Sequence, residues 1–382
     1  MNKIKVMTVF GTRPEAIKMA PLVKEIEKCN QMQSIVCVTA QHREMLDQVL
    51  EIFKITPDFD LNIMKDRQTL SSITNSVIDG MEDVLSKAKP DIVLVHGDTT
   101  TSFAGALACF YKKIKVGHIE AGLRTFNKYS PYPEEMNRTL TGKIADLHFC
   151  PTITNKENLI NENIKENIFI TGNTVIDALK ITVNKSYVFK DEFLKNEDFS
   201  KYRYILMTAH RRENLGQPLS NICKAVKRIV NTFSDVLVIY PVHLNPAVRK
   251  TVNSILGNEK RVILIDPIDV CDMHNLMDRA YLILTDSGGL QEEAPALGKP
   301  VLVLRTETER PEAVKAGTVK MAGVNEEDIF SLSKALLENK QEYDKMAKAV
   351  NPYGDGFASK RIVEAILYDF GKGQKPQDLN NF

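Results

Sequence analysis

Residues able to do chemistry recur in this 382-residue chain where short apolar runs give way to turns. After the first run comes Gly11-Thr12-Arg13-Pro14-Glu15-Ala16-Ile17-Lys18. Gly11 permits a turn, Pro14 suits a helix start, and Arg13 and Lys18 can flank an anion, although a surface turn with two cations accounts for the same residues. His96-Gly97-Asp98-Thr99-Thr100-Thr101 sets an acid and hydroxyls before a helix, which fits either an N-cap or a catalytic carboxylate. In Gly117-His118-Ile119-Glu120-Ala121-Gly122-Leu123-Arg124, strand alternation puts His118 and Glu120 on one face. The glycine spacing there is that of a P-loop, but Leu-Arg stands where Lys-Ser/Thr is needed. Glu134 and Arg138 lie four apart after a proline-rich loop, the spacing of a helical ion pair worth about a few tenths of a kcal/mol.

Further along, Thr208-Ala209-His210-Arg211-Arg212 places three potential cations at a run's exit, which favours a phosphate or pyrophosphate partner. His243 ends the next run, and Arg310 precedes a helix opening at Pro311. Ser287-Gly288-Gly289 joins the apolar stretch Tyr281 to Thr285 to a helix from Leu290. Such a turn lets backbone N–H groups approach a phosphate, with Glu292 and Glu293 one turn in, within reach of ribose hydroxyls. The same glycines serve a plain crossover turn, and acids in a first helical turn favour the dipole in any case. Despite seven histidines there is no HExxH, HxH or Cys/His cluster, so no metal is expected. Neither a Gly-x-Ser-x-Gly elbow nor a dinucleotide fingerprint is present.

The elements that must position these residues follow from periodicity. Val- and Ile-rich runs at 4 to 10, 34 to 39, 92 to 96, 116 to 120, 147 to 150 and 168 to 171 read as strands buried on both faces. Helical patterns at 15 to 28, 44 to 53, 70 to 86, 102 to 111 and 134 to 144 lie between them. A polar stretch near 190 to 201 reads as a linker, after which strands at 204 to 208, 236 to 240, 262 to 265, 281 to 285 and 301 to 304 resume the beat. The chain is expected to be helical from 326 to 350, with a final amphipathic helix from Ala358 to about Phe370 and then a frayed polar tail. The expected fold is α/β, two doubly wound Rossmann-like domains: residues 1–172 plus 358–382 and residues 173–357. Ligands of open parallel sheets sit beyond the strands' carboxyl ends, so the site is expected in a cleft that the two domains face.

Composition narrows the function. Fifty basic residues against 49 acidic ones give a net charge of +1, which excludes a general attraction to nucleic acid or anionic membrane. The six cysteines are scattered without a CxxC pair, the N-terminus carries no signal-peptide pattern, and no apolar run reaches membrane-spanning length. A cytoplasmic protein is the expectation.

In order, VFGTRPEAIKMAPL, HGDTTT, GHIEAGLRT, PEEMNRTLTG, TAHRRENLG, YPVHLNP, DSGGLQEEAPALGKPVL and TERPEA resemble the non-hydrolysing UDP-N-acetylglucosamine 2-epimerases over about residues 3 to 370. The resemblance implies a glycosyltransferase B type fold whose last helix returns to the first domain, and reversible conversion of UDP-GlcNAc into UDP-ManNAc without a cofactor. It implies catalytic roles for Asp98, Glu120, Glu134 and His210, and substrate contacts from Arg13, Lys18, Arg138, Ser287, Gly288, Gly289, Glu293 and Arg310. It further implies a second, activating UDP-GlcNAc held by Gln41, Glu44, Arg67, Arg211 and His243, with Glu134 near both sugars. Glu44 departs from a Gln found in some relatives, and Ile268 and Met273 stand where others have Gln and Phe near the base. A homodimer supplying cell-surface polysaccharide synthesis is the wider implication. Rival readings are a UDP-sugar glycosyltransferase of the same fold, a hydrolysing epimerase that releases ManNAc, and a non-catalytic nucleotide-sugar sensor.

Overall fold

A computed structural model describes residues 3–40, 43–64 and 68–379, giving residues 43–45 as backbone alone. The chain divides into two compact units, Met1–Ala178 with Tyr353–Phe382, and Leu179–Pro352.

The first domain is built on seven strands: β1 (Ile4–Phe10), β2 (Met32–Val38), β3 (Phe59–Asp60), β4 (Ile92–His96), β5 (Lys115–Ile119), β6 (Leu147–Cys150) and β7 (Ile168–Ile170). All pair in parallel, in the order β3-β2-β1-β4-β5-β6-β7. In register, Val6 faces Ser34 on one side and Ile92 on the other. Alternation along β1 sends Ile4, Val6 and Phe10 into a core shared with the helices Arg13–Lys28, Arg43–Ile52 and Ala358–Asp369. Met7 and Val9 enter the opposite core, under Leu70–Ala88 and Thr100–Tyr111. A strand buried on both faces must be apolar throughout, which is why these runs were legible.

The second domain repeats the plan with six parallel strands: β8 (Arg203–Thr208), β9 (Val236–Pro241), β10 (Val262–Ile265), β11 (Leu282–Thr285), β12 (Val301–Val303) and β13 (Val319–Met321). Their order is β10-β9-β8-β11-β12-β13. The helix Gln217–Thr232 buries Leu219, Ile222, Val226 and Ile229 against Ile205, Met207, Val238 and Tyr240. Both domains are therefore doubly wound, Rossmann-like sheets. In each, the strand order reverses beside the first strand, between β1 and β4 and between β8 and β11. Loops leave these neighbouring strands toward opposite faces and open a crevice at their carboxyl ends.

Several expectations change. β3 and β13 were not anticipated, because each is very short and carries a charged residue, Asp60 or Lys320, whereas the similarly short β7 and β12 are wholly apolar. The helical stretch expected over 326 to 350 is made of two helices, Glu326–Glu338 and Lys340–Ala347. Asn339 ends the first and caps the second, accepting from Gln341 N at 2.9 Å and Glu342 N at 3.2 Å. The stretch expected as a polar linker is packed: Phe189, Phe199 and Tyr204 stack in series at centroid distances of 5.5 and 4.8 Å, and Asp191 caps the short helix Glu192–Asn196. Nor is the tail frayed up to Leu379. Leu379 N donates to Ile170 O (2.7 Å) and Asp378 accepts from Ile170 N (2.9 Å), so the tail completes the unpaired edge of β7.

Lys156 adds an ion pair to Asp378 at 3.3 Å. Asp378→Ala is expected to lower stability by about 1–2 kcal/mol, seen as a reduced urea midpoint. An unchanged midpoint would show that the Asp378 carboxylate contributes nothing to the first domain's stability.

Candidate active site

The β1 and β4 exits of the first domain are held together by one carboxylate. Glu15 is buried. Its Oε2 accepts from Gly11 N (3.0 Å), Thr12 N (2.8 Å) and Thr12 Oγ1 (2.9 Å), and its Oε1 from Thr99 Oγ1 (2.6 Å) and Ser102 Oγ (3.1 Å). Close approach here also requires Gly11, since a Cβ would stand 1.9 Å from Thr39 Oγ1. Thr99 caps the helix Thr100–Tyr111 by accepting from Ser102 N at 3.1 Å. With the cap supplied by Thr99, the carboxylate of Asp98 is left for other work.

Asp98 lies 3.5 Å from Arg138 Nε, and Asn137 Nδ2 donates to its carbonyl at 2.9 Å. Burial raises its pKa to about 6, with the charges of Glu120 and Glu134 adding and those of Arg138 and Lys18 opposing. Glu120 stands one residue beyond β5 at φ 61°, so strand alternation ends before it and does not align it with His118. Lys18 Nζ and Asn173 Nδ2 (2.8 Å) both donate to Glu120 Oε2, and His96 Nε2 lies 3.7 Å from it. His118 instead turns to Gly97 O at 2.7 Å; burial lowers its pKa to about 3, so the neutral ring donates Nε2–H. Burial likewise brings His96 down to about 4.

Glu134 opens the helix Glu134–Ile144, half-buried and without a hydrogen bond or ion pair to any described residue. The i, i+4 pair with Arg138 does not form. The guanidinium turns to Asp98 and to buried Glu135 (3.3 Å), which also accepts from Thr125 N (3.1 Å) and Phe126 N (2.9 Å). Arg13 is half-buried and makes no hydrogen bond or ion pair with a described residue. The first domain thus gathers Lys18, Asp98, Glu120, Glu134 and Arg138 around one crevice.

In the second domain another buried acid does the same work. Asp286 Oδ2 accepts from His210 N (2.7 Å), Arg211 N (2.8 Å) and Asn214 Nδ2 (3.0 Å), fastening the β8 exit to that of β11. Its Oδ1 lies 3.5 Å from His210 Nδ1. The His210 ring stacks on His243 at 5.2 Å and 5°, and burial holds its pKa below the usual histidine value, with His243 and Arg211 adding and Asp286 opposing. Arg211 Nη2 and Arg310 Nη2 come within 3.9 and 4.0 Å of where a Gly288 Cβ would stand. Two guanidinium groups therefore converge on the bare Ser287-Gly288-Gly289 turn. A Cβ at Gly289 would lie 2.9 Å from Glu293 Oε1, and Glu293 Oε2 is 3.3 Å from His274 Nε2. Glu292 is buried and paired with Arg310, so of the two acids Glu293 is the one that stays beside the glycine turn.

A family model described as UDP-N-acetylglucosamine 2-epimerase matches residues 24–367. This chain belongs to that family. A Bacillus subtilis UDP-N-acetylglucosamine 2-epimerase is 60% identical to it over 379 residues, covering 99% of each chain. Among solved structures, S. aureus MnaA with UDP is 50% identical at a TM-score of 0.88, covering 99% of this chain and 100% of that one. The Neisseria meningitidis UDP-GlcNAc 2-epimerase bound to UDP-GlcNAc is 51% identical at a TM-score of 0.85, covering 96% of this chain and 100% of that one. The epimerase family's two-domain fold is of the glycosyltransferase B type.

Of the residues implied for a second ligand, Gln41 and Arg67 lie outside the described residues, as does the side chain of Glu44. Arg211 and His243 stand with His210 and the glycine turn, in the second domain's own cluster. Glu15, Glu135 and Asp286 were missed from sequence; an acid three residues after Thr12 is a capping-box signal, but nothing local says that it also reaches Thr99.

The raised pKa of Asp98 has a stability consequence. Its folded value, about 6, exceeds the reference 3.8, so between those values the native state binds more protons and loses stability as pH rises. Asp98→Asn removes that penalty. Because 29% of the side chain meets solvent, the expected gain over wild type at pH 8 is only about 1–2 kcal/mol, closing by pH 4. Urea unfolding at pH 4, 6 and 8 measures it, and a pH-independent difference would contradict the assignment.

Proposed function

We propose that this chain interconverts UDP-GlcNAc and UDP-ManNAc by a non-hydrolysing route, losing UDP and adding it back. The observation that carries the reading is the carboxylate cluster of Asp98, Glu120 and Glu134, in which burial and like charge bring one proton affinity close to neutrality. The C2 hydrogen of the sugar is not adjacent to a carbonyl, so direct removal would leave an unstabilised carbanion. Breaking the C1–O bond first sends its electron pair to the departing UDP and gives C1 oxocarbenium character, which acidifies C2–H. A carboxylate then takes the C2 proton, and the C–H electrons form the C1=C2 bond of 2-acetamidoglucal. Return of a proton to the opposite face of C2, with UDP oxygen attacking C1, gives the epimer.

Asp98, Glu120 and Glu134 supply the acid and base. Lys18, Arg138 and Arg13 set charge around the sugar; Glu293 takes the ribose; His210, Arg310 and the Ser287-Gly288-Gly289 backbone hold the diphosphate and keep it for return. What supports the last group is that Arg310 Nη2 comes within 4.0 Å of the Gly288 Cβ position while Asp286 fixes His210 beside the same turn. No cofactor is required on this route, since elimination and re-addition move protons and UDP but no hydride. In the same reading a second UDP-GlcNAc activates the enzyme through Gln41, Glu44, Arg67, Arg211 and His243, the enzyme is a cytoplasmic homodimer, and its product feeds cell-surface polysaccharide synthesis.

Incubation with UDP-GlcNAc alone in D2O, followed by NMR, is expected to yield UDP-ManNAc carrying deuterium at C2. Free ManNAc would instead mark a hydrolysing enzyme, and inertness without an acceptor a glycosyltransferase or sensor. Asp98→Asn, Glu120→Gln and His210→Ala are each expected to cut turnover by about 100-fold or more while retaining the folded far-UV spectrum. Near-normal turnover in any of them refutes that residue's role.

A further inference from the structure

Asn173 is a buried residue that neither the sequence motifs nor the proposed mechanism uses. It lies just after β7, close to where the chain leaves the first domain, and its backbone N–H donates to Tyr353 O (2.7 Å), close to where the chain comes back. The two segments are tied again by Asp177, whose carboxylate accepts from Ala358 N (3.1 Å) and Ser359 N (2.7 Å), and by Arg361, which donates to Thr171 O (3.2 Å). The Asn173 side chain is divided between two tasks. Its Oδ1 accepts from Val175 N (3.1 Å), which turns the chain into the helix Thr174–Thr182, while its Nδ2 donates to Glu120 Oε2 (2.8 Å).

We propose that Asn173 is a positioning residue for catalysis, one that fixes the rotamer of Glu120 and favours its ionised form. Glu120 stands at φ 61°, outside the strand that precedes it, so the sheet alone does not aim its side chain. Two donors from distant parts of the chain, Lys18 and Asn173, meet on one of its oxygens and set its direction. Among the described residues, the titratable groups facing Glu120 include Lys18 from the helix Arg13–Lys28, His96 at the end of β4 and Asp98 in the loop after it. Lys18 contributes charge on a flexible stem. Asn173 contributes a donor held by two backbone bonds of its own, which is what makes it the geometric reference.

The proposal rests on Glu120 being a reacting group, and the experiment separates the two claims. Asn173→Asp retains the oxygen that accepts from Val175 N but replaces the donor to Glu120 with an acceptor. Asn173→Ser retains a short turn acceptor, stays uncharged, and cannot reach Glu120. A residue needed only for the turn would tolerate both. The positioning role predicts a kcat lower by about 10- to 100-fold, KM within about twofold, and the ionisation of kcat/KM that Glu120→Gln abolishes moved upward by on the order of one pH unit, more in the Asp variant than in the Ser variant. Thermal midpoints and near-UV spectra of both variants are expected to stay near wild type. If Glu120→Gln is inactive while both Asn173 variants keep wild-type kcat and pH profile, the proposal falls and the mechanism stands. If Glu120→Gln is itself active, both fall. If neither Asn173 variant folds, Asn173 is a structural residue and the proposal is again overturned.

Discussion

A parallel sheet buried on both faces presents its polar backbone only at its ends, and at the carboxyl end of adjacent strands the freed N–H groups have to be satisfied away from bulk water. Here a buried carboxylate meets that demand at each strand-order reversal. Glu15 gathers donors from the exits of β1 and β4, Asp286 those of the β8 exit from its place after β11. Charge-assisted hydrogen bonds of this kind are the strong ones, and several on one carboxylate offset the cost of burying it. The residues next to those donors are ones given roles in the proposed function: Arg13 beside Thr12, Asp98 beside Thr99, His210 and Arg211 themselves. Rigidity in the loops is therefore a by-product of satisfying backbone polarity.

The two crevices differ in composition. The first domain's carries three carboxylates against Lys18, Arg13 and Arg138, and burial, with the charges of Glu120 and Glu134 adding, lifts the proton affinity of Asp98. The second domain's carries Arg211, Arg310, His210 and His243 around a glycine turn, with Asp286 buried behind it. Proton transfer needs groups whose charge can change near neutrality, whereas holding a diphosphate needs charges that do not. The division of residue types between the domains matches the division of labour proposed for the reaction.

Much of this was legible in the linear chain. Runs such as Ile92 to His96 and Val262 to Ile265 are strands with the bounds read from their composition, the first buried on both faces and the second an apolar, half-exposed edge strand. The short β3 and β13 escaped because their pairing comes from neighbours and not from any pattern of their own. The capping ambiguity at HGDTTT could not be settled locally, since Asp98 and Thr99 are both good caps and only the position of Glu15 shows which one serves. The Glu134 and Arg138 pair shows the opposite failure. Helical spacing permits the contact, but Asp98 and Glu135 compete for the guanidinium and hold it.

By itself, then, the sequence determined the class of most elements and the parallel character of both sheets, because hydrophobic period and turn composition are local properties. Only the tertiary structure decided the order of the strands, and with it where each sheet reverses. It also decided which exits become neighbours: Glu15 with Thr99, Asp286 with His210, Asn173 with Glu120. Those contacts join residues far apart along the chain, and no local pattern encodes them. They exist because long-range pairing places particular strands side by side and because each buried charge or donor must then find a partner nearby.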